Sequence, residues 1–177
     1  MRAEITTERL RLRPLDLADA PRIASLCGDL EVARWLARVP HPYPLAAAIA
    51  FVTEVQAGGG AEVRAIDRRG RPGVLIGVIG IDGLPGDPSL GYWIGREEWG
   101  RGLATEAAGA MVAQAFSALG VDLLRSGAFA GNAASLRVQE KLGFRVTGER
   151  LLDCAALGEP RRHLDTSLAR EDWERAA

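Results

Sequence analysis

The chain has 177 residues, 47% hydrophobic and 25% charged, with a formal net charge of −1. That balance suits one domain with a full core, expected to span residues 1–177, and excludes a basic field for nucleic acid or an anionic membrane. The start, MRAEITTERLRLRP, lacks the apolar centre of a signal peptide, and no uncharged apolar run reaches the roughly 18 residues of a membrane span, so a soluble, cytoplasmic protein is expected.

In ITTERLRLRPL, Ile5, Leu10, Leu12 and Leu15 alternate with polar neighbours, which predicts a half-buried first strand ending near Pro14. DLADAPRIASLCG opens on the cap residue Asp16 and closes at Gly28, as a short helix does. A second helix is expected in DLEVARWLARV, capped by Asp29, with Leu30, Ala33, Trp35 and Leu36 on its apolar side. PHPYP then forces a loop, and LAAAIAFVTEVQ makes a third helix stopped by three glycines, Gly58, Gly59 and Gly60. Strands follow in EVRAIDR, in the doubly buried run VLIGVIGID and in SLGYWIG. Leu103, Ala107, Met111, Ala115 and Leu119 recur at helical spacing until Gly120. VDLLRSGAF reads as a strand, NAASLRVQEKLG as a helix capped by Asn132, and FRVTGERLLD and RRHLDTSLA as the last two strands. The order is that of a mixed α/β domain around one central sheet. Cys27 and Cys154 share no ligand spacing with His41 or His163, so neither a metal site nor a disulfide is expected.

The junction GYWIGREEWGRGLATEAAGAM places Gly95, Gly100 and Gly102 where a strand hands over to a helix. A helix start leaves N–H groups unpaired and carries partial positive charge, and small residues let an anion approach. A P-loop needs Lys-Ser/Thr after the second glycine, where this chain has Leu103-Ala104. The dinucleotide fingerprint needs glycine at Thr105 and an acid near Leu124 or Arg125. Both readings fail, which leaves an anion cradle of another kind or a turn without ligand.

Taken together, GYWIGREEWGRGLATEA and NAASLRVQEKLGF resemble the GNAT superfamily of acyl-CoA-dependent N-acetyltransferases. The opening TERLRLRPLDLADAPRIASLCGDLEVARWL and the closing REDW are similar to its branch of RimJ/RimL-type ribosomal-protein N-terminal acetyltransferases. The resemblance implies a central mixed, mostly antiparallel sheet with helices on both faces. It implies acetyl-CoA as cosubstrate, no metal, and an amine acceptor, either a peptide N-terminus or a small amine, in a monomer or homodimer. The loop Trp99, Gly100, Arg101, Gly102, Leu103, Ala104 and Thr105 would hold the pyrophosphate of coenzyme A. Glu97 stands where the family has Gln or Arg. Backbone groups near Trp93, Ile94 and Gly95 would pair with the pantetheine arm, while the Tyr92 and Trp93 side chains are expected to pack in the core. Asn132 would touch the cofactor and Ser135 would lie near the thioester. Gln139 stands about where many relatives carry a proton-donating tyrosine. Phe144 is read as packing and Lys141 as solvated, within reach of a phosphate.

The reaction would be direct attack of a neutral amine on acetyl-CoA in a ternary complex. Near pH 7.4 an α-amine is neutral roughly a quarter of the time and a lysine amine about once in a thousand. An α-amine therefore needs little base power, and a carboxylate at the end of a water chain suffices. Glu97, Glu98 and Asp153 are the candidates, though each taken singly reads first as an exposed loop acid. Trp35, His41 and Tyr43, in WLARVPHPYPL, are candidate walls of the acceptor cleft. The alternatives are an acyl-CoA-sensing module of the same fold without turnover and a small-molecule amine acetyltransferase.

Overall fold

The computed structural model describes residues 4–176. β1 (Ile5–Thr6) and β2 (Leu10–Arg13) lead into α1 (Ala20–Cys27), α2 (Leu30–Ala33) and α3 (Leu45–Ala57). Three strands follow, β3 (Glu62–Arg68), β4 (Arg71–Asp82) and β5 (Ser89–Ile94), then α4 (Leu103–Ala118) and β6 (Leu123–Phe129). The chain continues through α5 (Ala133–Lys141), β7 (Arg145–Cys154), β8 (Glu159–Ala169) and α6 (Arg170–Ala176).

All the strands join one sheet in the order β1-β2-β3-β4-β5-β6-β8-β7. Neighbours are antiparallel except β5 and β6, which run parallel. Helices cover both faces, as the resemblance implies. On one face α4 and α5 pack over Leu10, Ile79, Leu90 and Leu124. On the other, α1 and α3 pack over Ala65, Leu75 and Val78. Ala107, Ala108 and Ala115 of α4 are wholly buried, and their small side chains let the helix sit close to the sheet. Asp67, also wholly buried, ties the chain's start to this frame. It accepts from Arg13 Nε at 2.8 Å, and Arg13 reaches on to Asp19 at 2.7 Å. Burial penalises lone charges, so these three groups are stable there only together.

Two expectations need correction. The first predicted strand is a hairpin, because Thr7 turns the chain, its N–H donating to the Leu10 carbonyl at 2.9 Å and its hydroxyl accepting from Leu10 N–H at 3.0 Å. The second predicted helix lasts one turn. Its hydrogen bonds then tighten to three-residue spacing, Trp35 N–H to the Val32 carbonyl and Leu36 N–H to the Ala33 carbonyl. REDW lies in α6.

Candidate active site

β5 and β6 meet at a single register pair, Ser89↔Arg125, and then part. At the meeting point Arg125 N–H donates to the Pro88 carbonyl at 2.9 Å and Ser126 Oγ donates to the Leu90 carbonyl at 2.9 Å. Gly95 N–H turns the other way, to the Ile76 carbonyl of β4 at 2.8 Å. Backbone direction alternates along a strand. The polar groups of Leu90, Tyr92 and Ile94 therefore face β6, and those of Gly91 and Trp93 face β4. Beyond the meeting point, the Tyr92 and Ile94 groups open on the gap. The Ile94 carbonyl is taken by the Trp99 indole N–H at 2.7 Å. Gly95 has a packing reason of its own: a Cβ there would lie 2.8 Å from Leu26 Cδ2.

At one end of the gap stands the glycine loop. Gly100 and Gly102 both have φ of 73°, a conformation that costs a side-chain-bearing residue energy. Trp99 N–H bonds back to the Arg96 carbonyl and Glu106 N–H to the Gly102 carbonyl, while the N–H groups of residues 100–105 donate to nothing among the described residues. That set of donors at a helix N-terminus fits a diphosphate. Arg137 and Lys141 of α5 line the same cleft and add positive charge. The loop is braced from behind. Glu106 of α4 accepts from Thr7 Oγ1 at 2.6 Å, Arg9 N–H at 2.7 Å and Arg9 Nε at 2.6 Å, and Arg9 also donates to the Arg101 carbonyl at 2.8 Å. Burial alone would push the Glu106 carboxyl up, but the bonds from Thr7 and Arg9 outweigh it and hold the group below the usual range.

In the middle of the gap, Asn132 caps the start of α5, its Oδ1 accepting from Ser135 N–H at 3.1 Å. Ser135 Oγ lies 3.0 Å from the Tyr92 hydroxyl. Gln139, 1% exposed, donates from Nε2 to the Gly127 carbonyl at 3.0 Å and accepts from Thr166 Oγ1 at 2.7 Å. The position is thus filled by a buried amide that ties α5 to β6 and β8. The Tyr92 ring packs against the core as expected, and its hydroxyl adds a proton-bearing group that the sequence reading missed. Burial pushes this phenol above its usual range against the hydrogen bonds from Ser135 and Gln139, so it keeps its proton at neutral pH.

The opposite face of the sheet supplies the other wall of a cleft of about 1380 Å³. Paired residues share a face, so Phe129 and His163 stand on the side away from α4 and α5. The two rings meet edge to face, with centroids 5.7 Å apart. The Arg161 guanidinium lies over Phe129 at 5.4 Å and over Trp35 at 5.1 Å. His163 Nδ1 lies 3.0 Å from Asp165 Oδ1, and Asp165 is held in turn by Arg150 Nε at 3.0 Å. Burial lowers the His163 pKa most and Arg150 adds to this, while Asp165 opposes both without cancelling them.

Among the residues expected from sequence, Trp93, Ile94, Trp99, Gly100, Arg101 and Gly102 line this cleft, as do Ala104, Thr105, Asn132 and Ser135. Leu103 is buried in the core. Of the candidate carboxylates, Glu98 lines the cleft but is bound to Arg68 at 2.6 Å and Arg101 at 3.4 Å. Glu97 is exposed beside Arg22, on a separate surface hollow. Asp153 is exposed on β7, at a position that alternation turns away from Arg150 and Cys154. Trp35 and Tyr43 line the cleft and His41 does not. His163 and Asp165 went unmarked in the sequence, although H-L-D on a strand puts both side chains on one face.

The family described as "Acetyltransferase (GNAT) domain" matches residues 9–145. The chain is 32% identical over 153 residues to the uncharacterized N-acetyltransferase YoaA of Bacillus subtilis, covering 81% of this chain and 84% of that protein. It superposes on Mycobacterium smegmatis RimJ in complex with CoA-disulfide with a TM-score of 0.79 at 20% identity, covering 92% of this chain and 83% of that one. The spermidine N-acetyltransferase of Vibrio cholerae, in complex with CoA and spermine, gives a TM-score of 0.81 at 14% identity, covering 95% and 99%. At these identities the two solved structures speak for the fold.

Proposed function

The chain belongs to the GNAT family of acetyltransferases, and from that membership we propose that it moves the acetyl group of acetyl-CoA onto a peptide α-amine. Two structural neighbours hold CoA or its disulfide, and the donors of the glycine loop fit the same diphosphate. Residues 100–105 would bind it through their N–H groups. The free backbone groups of Tyr92 and the N–H of Ile94 would meet the amides of the pantetheine arm. When bound, acetyl-CoA supplies the activated acyl carbon; the chain supplies position, donors and proton traffic.

The acceptor reading rests on one observation: most of the cleft's acids are already spoken for. Asp82 pairs with Arg38 at 2.9 Å and Glu98 with Arg68 at 2.6 Å, leaving Glu54 among the acids that line it. A polyamine wants several free carboxylates. A peptide wants apolar walls and hydrogen-bonding groups, and Trp35, Tyr43 and Phe129 supply such walls. An α-amine is also neutral often enough near pH 7.4, roughly a quarter of the time, to need only a mild base.

Three acceptors test this: a lysine-free peptide with a free N-terminus, an N-blocked peptide with one lysine, and spermidine. Mass spectrometry after incubation with acetyl-CoA should place the acetyl group on the free N-terminus. Rapid modification of spermidine or of the blocked peptide, with none of the free N-terminus, would overturn the acceptor and leave the family assignment standing.

A further inference from the structure

The gap between β5 and β6 has different chemistry on its two faces. Ser135 and Tyr92 stand on the side of α4 and α5. His163 and Asp165 stand on the other, and Gly127 joins the two. Its carbonyl accepts from Gln139 on the first side. On the second, a Cβ at Gly127 would lie 2.3 Å from His163 Cε1, so only glycine lets the imidazole lie against β6. The ring is fixed three ways: Asp165 holds Nδ1 at 3.0 Å, Phe129 meets it at 90°, and Gly127 lies beneath it. Nε2 has no hydrogen-bond partner among the described residues and is not sealed from solvent, and the residue lines the cleft.

We propose that His163 is the general base of the acetyl transfer and that Asp165 positions it. The proposal rests on the acetyltransferase reading above. Asp165 accepts a hydrogen bond from Nδ1–H, which leaves the lone pair on Nε2. Two protons leave an ammonium acceptor, one before attack and one after, both by way of Nε2 to water. The amine nitrogen bonds to the acyl carbon, the C–S bond breaks, and the thiolate takes one proton through the Ser135–Tyr92 hydroxyls. Water resupplies those hydroxyls, so the net release is one proton. Base and acid thus sit on opposite faces of the sheet with the reacting carbon between them. The charged groups facing the ring are Asp165 on its own strand, Arg150 opposite it on β7, and Arg161 over the neighbouring Phe129; β6 presents Gly127 and Phe129 beside the ring and, two positions before Gly127 on the same face, Arg125, which is held by Asp87. Burial favours the neutral ring, the form that can take up a proton, near pH 7.

The test joins NMR of the free protein with kinetics. The chain has two histidines, so His163→Gln assigns the His163 ring signal. That signal should show an Nδ1–H tautomer and a pKa below the usual 6.5. Asp165→Asn removes the charge that favours the imidazolium, so the pKa should fall further, with the acid limb of kcat/KM moving to lower pH beside it. His163→Gln should lose at least about a hundredfold in kcat and keep acetyl-CoA affinity within about twofold. If His163→Gln does not fold, the coupled movement in Asp165→Asn decides. Full turnover in His163→Gln, or an acid limb that stays put when the ring pKa moves, overturns the base and leaves the acetyltransferase standing. Failure of the wild-type protein to acetylate any amine overturns both.

Discussion

Ser135 alone would be a weak proton source, but its hydroxyl shares a 3.0 Å contact with a phenol that burial keeps protonated. The leaving thiol has a pKa near that of cysteine, about 8.5, so a nearby donor helps it leave without being indispensable. Ser135→Ala and Tyr92→Phe should each lower kcat about tenfold and leave acetyl-CoA affinity nearly intact by calorimetry. Because the hydroxyls act as a pair, the double variant should lose less than the sum of the two. Equal losses of affinity with unchanged kcat would make both of them binding residues. Ser135 was legible through the resemblance, which matches Asn132 and Ser135 to the family's Asn-x-x-Ser pattern. Tyr92 was half legible: its ring announced packing, but its hydroxyl partner lies 43 positions away. His163 was illegible as a functional group, because its meaning comes from the face it shares with Phe129 and Gly127 across a strand pairing.

At the scale of elements, the glycine loop depends on a hairpin nearly a hundred positions earlier. The turn between β1 and β2 delivers Thr7 and Arg9 to Glu106, in the first turn of α4, and that grip sets where the N–H groups of residues 100–105 point. Glu106→Gln keeps the shape and loses the charge that strengthens three hydrogen bonds. Acetyl-CoA affinity should fall about three- to tenfold, the effect of roughly one weakened charge-assisted bond. Protonation should do the same in the wild type. Since the folded carboxyl is held below its usual range, the brace is intact above that range and fails as pH falls through the lowered pKa. An unchanged affinity in a folded Glu106→Gln protein would mean that the loop holds itself. The long helices and central strands were readable from periodicity, since α4 repeats its apolar positions every four residues. The hairpin was not, because one side-chain turn at Thr7 interrupts an alternation that otherwise runs through it.

For the whole molecule, the proposed function implies an order of chemical events. On that proposal acetyl-CoA and the acceptor amine would approach from opposite faces of one sheet, so both would be bound at once. A covalent acyl-enzyme would need a nucleophile with a base in hydrogen-bond reach. Cys27 is buried, its thiol pushed up to about 12 by burial, and neither it nor Cys154 lines the cleft. Ser126 donates its proton to the Leu90 carbonyl, and Ser135 lies across the sheet from the imidazole. Among the described residues, no serine or cysteine of the cleft is therefore set up to take the acetyl group before the amine arrives. Initial rates measured against acetyl-CoA at several acceptor concentrations should give intersecting double-reciprocal lines. Protein incubated with acetyl-CoA alone should gain no acetyl mass. Parallel lines together with stoichiometric acetylation of one serine or cysteine would show that the chain stores the acyl group. In that case the two faces of the sheet would be used in turn rather than together.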